Sequence, residues 1–171
     1  MKTSKLVITA LLAATVTVGK LALSFLPNVE VVTLLLALYG YVFGWMGIVA
    51  AFLFVTAEML IWGAGTWVVS YYIYWPLVAL IFMVLRNYGV KNRFILAGSA
   101  VAMTAVFGVL TSAVDLGLFS MNFENFGERF VVYYLRGVPY YLTQIICNAV
   151  LFVGAFPALE KLLCRLKKKI L

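Results

Sequence analysis

Residues 69–93 read VSYYIYWPLVALIFMVLRNYGVKNR: an uncharged run from Val69 to Leu85, then Arg86, Lys91 and Arg93 in quick succession. As a helix the run is about 25 Å long, near the thickness of bilayer hydrocarbon. Its basic flank is the mark of the cytoplasmic side, where Lys and Arg accumulate. The pattern repeats outward from here. Apolar runs extend from Leu6 to Leu26, Val31 to Phe43, Ile48 to Trp62 and Phe94 to about Leu118, and a last one begins at Pro139. Lys2 and Lys5 precede the first run, and Lys161, Arg165, Lys167, Lys168 and Lys169 close the last.

Threading these runs through a bilayer gives six crossings, with all three basic clusters on one face. Only Arg129 and Arg136 fall on the other face, and Lys20 lies inside the first span. The expected fold is an all-α integral membrane bundle of six transmembrane helices, one domain over 1–171, multi-pass in the cell membrane with both termini cytoplasmic. Val31–Phe43 is short for a crossing, so Pro27-Asn28-Val29-Glu30 is expected to dip into the bilayer with it. Gly44-Trp45-Met46-Gly47 reads as a tight turn and Gly63-Ala64-Gly65 as the opening of an outer loop. The stretch 119–137 is more polar, yet Phe123, Phe126, Phe130, Tyr133 and Tyr134 recur at helical spacing. It reads as an interfacial helix on the outer face, before a sixth span that Pro139 starts.

Composition excludes several functions. The chain is 65% hydrophobic and 11% charged, and its net charge of +7 sits in short flanks of apolar runs. Those flanks suit lipid headgroups rather than nucleic acid. Without histidine there is no Ser-His-Asp set, and without a cysteine pair at metal spacing no zinc site is expected. Cys147 and Cys164 fall 17 positions apart on one predicted helix, about 25 Å, too far to bridge. No G-x-x-x-x-G-K-[ST] loop occurs. No cofactor and no catalysis by this chain are therefore expected. Met1 to Ala22 resembles a secretory signal, but its removal would leave five spans and put the basic C-terminal cluster on the wrong side, so a retained first helix is expected.

The acids mark where a ligand would sit. Glu30, Glu58, Asp115, Glu124 and Glu128 all fall in the outer half of the map, and the first three lie within or at the ends of spans, where an ionised group costs about 2.5–3.5 kcal/mol. Two readings stand side by side: Glu58 pairs with Lys20 as an internal strut, or the acids line a pocket open to the outside. Glu58 shares a helical face with Val55 and Trp62; Trp67, Tyr71, Tyr74 and Trp75 follow across the outer loop. Tyr140, Gln144 and Asn148 form one polar stripe, and Thr104, Gly108, Thr111 and Asp115 another. Polar stripes turn inward because lipid offers no hydrogen bonds. A pocket of this kind suits a flat heterocycle, with Asn28, Glu30, Glu58, Trp62, Trp67, Tyr71, Tyr140, Gln144 and Asn148 around it. In the first span Ala10 and Ala14 are four apart, a spacing that lets another helix approach closely, inside the domain or on a partner.

Three stretches carry a family resemblance: Phe25-Leu26-Pro27-Asn28-Val29-Glu30-Val31-Val32-Thr33-Leu34-Leu35, then Tyr39-Gly40-Tyr41-Val42-Phe43-Gly44-Trp45, then Trp62-Gly63-Ala64-Gly65-Thr66-Trp67. Together they resemble substrate-binding (S) components of energy-coupling factor transporters. Gly137-Val138-Pro139-Tyr140 with Asn148 is similar to the start of their sixth helix. The resemblance implies a six-helix protein binding a vitamin-like small molecule. It also implies that Ala10 and Ala14 meet a transmembrane coupling subunit, which works with two ATPase subunits supplied in trans. Cobalamin, a pyridoxine-like ring and a thiamin-like ring are the ligands it implies, with cobalamin foremost. One departure is that Tyr141 stands where related sequences often carry an acid. The rival readings are a solitary gradient-driven carrier or channel and a membrane scaffold without a small ligand.

Overall fold

The computed structural model describes residues 3–119 and 124–171. Lys2 and Phe123 of the sequence reading lie outside the described residues. Among these residues there are seven α-helices and no strand: α1 Thr3–Ala22, α2 Val32–Phe43, α3 Trp45–Trp62, α4 Trp67–Asn87, α5 Arg93–Val114, α6 Phe126–Gly154 and α7 Phe156–Ile170. A π-helical turn, Asp115–Phe119, extends α5. Five helices are long and apolar enough to cross a membrane: α1, α3, α4, α5 with its π turn, and α6.

The central element is α2. With 12 residues it is about 18 Å long, short of a hydrocarbon span. All of its residues but Leu35 are buried, and it packs against α1, α3, α4, α6 and α7. A helix buried on every side needs backbones to approach closely. At Gly40 a Cβ would collide with the Ala79 carbonyl of α4, and at Gly47 one would collide with the backbone of Tyr39 and Gly40. Gly44 plays another part: at φ +63° it makes the α2–α3 turn, and its N–H donates to the Gly40 carbonyl at 2.9 Å. The expected four-residue turn thus shrinks to this one residue, because Trp45 already starts α3.

The C-terminal third departs from expectation. No separate interfacial helix ends before Pro139: α6 runs unbroken from Phe126 to Gly154 with Pro139 inside it. The aromatic ladder explains the continuity. Phe126, Phe130 and Tyr134 stack at 6.3 Å per step, and Tyr134 meets Tyr141 at 5.6 Å, carrying one contact surface past the proline. Tyr141 fits because Gly108 of α5 and Gly137 of α6 leave it room. The last helix does not run into the tail either. It breaks at Ala155, and Pro157 sits in the first turn of α7, where its missing N–H costs nothing. Cys147 and Cys164 consequently lie on different helices, and both are free.

The turns place the two ends of the bundle. Lys20 of α1, Pro27–Glu30, the C-terminus of α3 and the N-terminus of α4 gather at one end. Arg86, Tyr41, Glu160 and Lys167 meet at the other. Asn92 caps α5 there, accepting from the Phe94 N–H at 2.9 Å.

Replacing Gly40 by Val should destabilise the bundle by about 1–3 kcal/mol or more, since the Ala79 backbone cannot yield. Gly98→Ala, where nothing lies within 4 Å of an added Cβ, should be neutral or stabilising. Thermal unfolding in detergent distinguishes the two; equal melting temperatures would contradict the close α2–α4 approach.

Candidate functional site

Glu30 stands two residues before α2, at the end of a turn in which Asn28 adopts φ +58°, a left-handed conformation that asparagine tolerates. One carboxylate oxygen, Oε2, accepts the Thr33 N–H at 2.9 Å, one of the backbone donors that a helix N-terminus leaves unpaired. The other, Oε1, accepts from the Thr33 hydroxyl at 2.5 Å, Gln144 Nε2 at 3.1 Å and Asn148 Nδ2 at 3.3 Å. The Asn148 amide also donates to Thr104 Oγ1 on α5 at 3.0 Å. A single carboxylate therefore fastens the start of α2 to α6 and, through Asn148, to α5. Its negative charge also faces the positive end of the α2 dipole.

Next to this network lies a cavity of about 270 Å³, lined by Lys20, Pro27, Asn28, Glu30, Tyr71, Trp75, Phe107 and Gln144 among others. Its aromatic wall is continuous: Tyr71 meets Trp75 at 5.6 Å and Phe107 at 6.1 Å, and Trp75 meets Phe107 at 6.0 Å. Lys20 and Tyr71 also border a second, smaller hollow of about 180 Å³, whose other walls are Glu58, Trp62 and Trp67. Between the two, Lys20 Nζ forms an ion pair with Glu58 Oε2 and sits 5.3 Å from the centre of the Tyr71 ring. Both sequence readings of Glu58 thus have a counterpart: it is fully buried and paired with Lys20, and the pair borders a hollow.

Several buried polar atoms around these hollows have no protein partner among the described residues: Glu58 Oε1, Trp75 Nε1, Tyr74 OH and Asn148 Oδ1. A buried polar atom without a partner costs about 1–3 kcal/mol, so this end of the bundle holds hydrogen-bonding capacity that the fold leaves unused.

The nine residues expected at the site separate into groups. Asn28, Glu30, Tyr71 and Gln144 line the larger cavity; Glu58, Trp62, Trp67 and again Tyr71 line the smaller. Asn148 is wholly buried and reaches the site through Glu30. Trp62 touches the smaller hollow only at its rim, being 60% exposed. Tyr140 borders neither hollow and is 56% exposed. The four-residue stripe drifts around a 3.6-residue helix, so Gln144 and Asn148 face inward and Tyr140, a turn earlier, does not. Ala10 and Ala14 lie exposed on α1 beside Leu6, Leu11 and Val18, away from the site.

Four participants were not singled out for the site. Thr33 could have been found from its position three residues after Glu30, a capping distance. Lys20 and Thr104 carried signals, one as a charge within a span and the other in a polar stripe. Phe107 had none, since an aromatic residue in an apolar helix looks the same facing lipid or cavity. Comparison with family models, with curated proteins and with solved structures finds no match to the chain.

Breaking the ion pair should cost more than removing it. Glu58→Leu or Lys20→Met alone should destabilise by about 3 kcal/mol, the low end for a buried pair because the Lys20 side chain is 32% exposed. The double variant should return to within about 1 kcal/mol of the parent. Additive losses in a double-mutant cycle would show that the two groups do not interact.

Proposed function

We propose that this chain is a multi-pass membrane protein that captures a compact, vitamin-like heterocycle at its outer end and hands it to an ATP-driven importer. In this reading it is the substrate-binding component of an energy-coupling factor transporter. A transmembrane coupling subunit and two ATPase subunits supply the energy, and the chain itself is not an enzyme.

The observation that carries the reading is the placement of the polar, aromatic-walled cavity at the end of the bundle opposite the three basic clusters. Lys5, Arg86, Lys91, Arg93 and the α7 cations belong to one end, and the positive-inside rule supports a cytoplasmic assignment for it and for both termini. The cavity then opens outward. The short α2, with Pro27–Glu30 completing its path, supports a sixth crossing. Ala10 and Ala14, exposed on the lipid-facing side of α1, support a close helix–helix contact with the coupling subunit.

The cavity's dimensions and chemistry favour a small ring. About 270 Å³ is at the low end for small-molecule sites and favours a pyridoxine-like or thiamin-like ring over a corrinoid. Tyr71, Trp75 and Phe107 offer faces for stacking. Trp75 Nε1, a donor only, calls for an acceptor atom on the ring. With Lys20 set against Glu58, Glu30 leaves one formal negative charge, which favours a ligand that is cationic or rich in donors.

Calorimetry of the purified protein against a vitamin panel, preceded by native mass spectrometry for a co-purifying mass, tests this. One compact heterocycle should bind, and Trp75→Leu or Gln144→Leu should each weaken it by about tenfold or more, the equivalent of 1.4 kcal/mol. Tyr140→Leu should leave affinity unchanged. Flat titrations across the panel would overturn the proposal, and uptake into proteoliposomes without any ATPase would point to a solitary carrier.

A further inference from the structure

At the end of the bundle away from the ligand cavity, a second cleft of about 620 Å³ opens between the C-termini of α2 and α4 and the helix α7. Tyr41, Phe43 and Met83 form its apolar wall; Arg86, Lys167 and Lys168 supply three cations, and no acidic side chain lines it. Two of these cations are held in place. Arg86 lies over the Tyr41 ring at 4.9 Å, and its Nη1 contacts the Tyr41 hydroxyl at 3.4 Å and Glu160 Oε1 at 3.3 Å. The Tyr41 hydroxyl is itself fixed, donating to the Val90 carbonyl at 2.7 Å. Lys167 Nζ donates to the Val42 carbonyl at 2.6 Å, one of the orphan acceptors at the end of α2. An ammonium has three donors and a guanidinium five, so both retain capacity toward the cleft.

The pattern of α7 fixes the depth at which this cleft lies. Phe156, Leu159 and Leu163 pack on the core, and Leu162, Leu166 and Ile170 continue the same apolar arc into the open. Lys161, Arg165, Lys168 and Lys169 occupy the adjoining arc. A helix with a half-exposed apolar arc beside a cationic one lies in the membrane–water boundary, apolar side chains toward acyl chains and cations toward headgroups. The cleft on its flank is then level with lipid phosphates.

We propose that this cleft binds the headgroup of one acidic phospholipid, its phosphate held by Arg86, Lys167 and Lys168 and its glycerol end set against Tyr41, Phe43 and Met83. Three cations against one acid, the Glu160 that contacts Arg86, favour an anion, and an apolar wall at headgroup depth favours one attached to acyl chains over free phosphate. The site is separate from the proposed ligand cavity and stands whether or not that cavity takes a vitamin.

The test is native mass spectrometry of the full chain released from vesicles of equal parts phosphatidylglycerol and phosphatidylcholine. The parent protein should retain one phosphatidylglycerol in preference to phosphatidylcholine. Lys167→Gln with Lys168→Gln should lower that retention by about tenfold, while Lys161→Gln with Lys169→Gln, which removes the same charge from the outer arc, should lower it far less. Lys168→Gln alone removes an exposed side chain and keeps the test informative if loss of the Lys167–Val42 contact disturbs folding. Equal retention of the two lipids, or equal loss in the two double variants, would overturn a discrete site. Displacement of the lipid by millimolar inorganic phosphate would overturn the lipid as occupant; its persistence is the expected result.

Discussion

The Glu30 carboxylate is the constraint around which the cavity end of the molecule is arranged. A charge at the edge of hydrocarbon survives only when its lone pairs are taken up, and Glu30 recruits donors from three sources: the first turn of α2, Gln144 and Asn148 of α6. Because Asn148 also holds Thr104, the register of α5 depends on the same group. The network fixes one side of the cavity, so Tyr71, Trp75 and Phe107 on the other side face a wall whose position is set by hydrogen bonds rather than by apolar packing alone.

Below this network the bundle narrows to a close-packed waist. Gly40, Gly47 and Ala79 bring α2, α3 and α4 together with no room for a further methyl group. Leu36, Leu38, Phe54, Val78 and Phe82 fill the surrounding space, each essentially inaccessible. A waist of this density, like protein interiors in general, separates the cavity end from the end that holds Arg86 and Lys167. Transmission between them would have to pass through movement of whole helices, and α2, which touches five others and carries Glu30 at one end and the Lys167 contact at the other, is the element so placed.

Much of this was legible in the chain, and what was not had a physical reason. Long apolar runs located α1, α3, α4 and α5, all but α3 with Lys or Arg at an end, because hydrocarbon admits little charge irrespective of detailed packing. The brevity of α2 was visible too, as was the importance of Glu30, an acid where acids are costly. Pro139 misled because its usual place is a helix start. Its tolerance inside α6 depends on a ladder from Phe126 to Tyr141 and on the space that Gly108, on another helix, provides. Tyr140 lies apart from both hollows for a simpler reason: a period of four approximates a helix only over one or two turns. The pairing of Glu58 with Lys20 was one of two readings the chain offered, whereas the place of Phe107 rests on contacts between distant segments, which spacing within one segment does not encode.

The pairing of Lys20 with Glu58 bears on how recognition at the cavity end would be divided under the proposed reading. Glu30 Oε1 already accepts three hydrogen bonds, so a ligand that took over this oxygen would orphan the amide of Gln144 or Asn148 and lose about what it gained. Under the proposed reading, recognition would therefore fall to groups with capacity to spare. Trp75 Nε1 donates and has no partner, while Glu58 Oε1 accepts and has none. Lys20 stands between them, bordering both hollows with Tyr71. A ring seated on Trp75 with an acceptor toward its indole would leave the Lys20–Glu58 pair intact. One that reached Glu58 would have to displace the Lys20 ammonium and offer a donor in its place. The first requires no reorganisation of a buried charge and is the cheaper mode, so under the proposed reading a ring would sit in the larger hollow with the ion pair at its inner boundary.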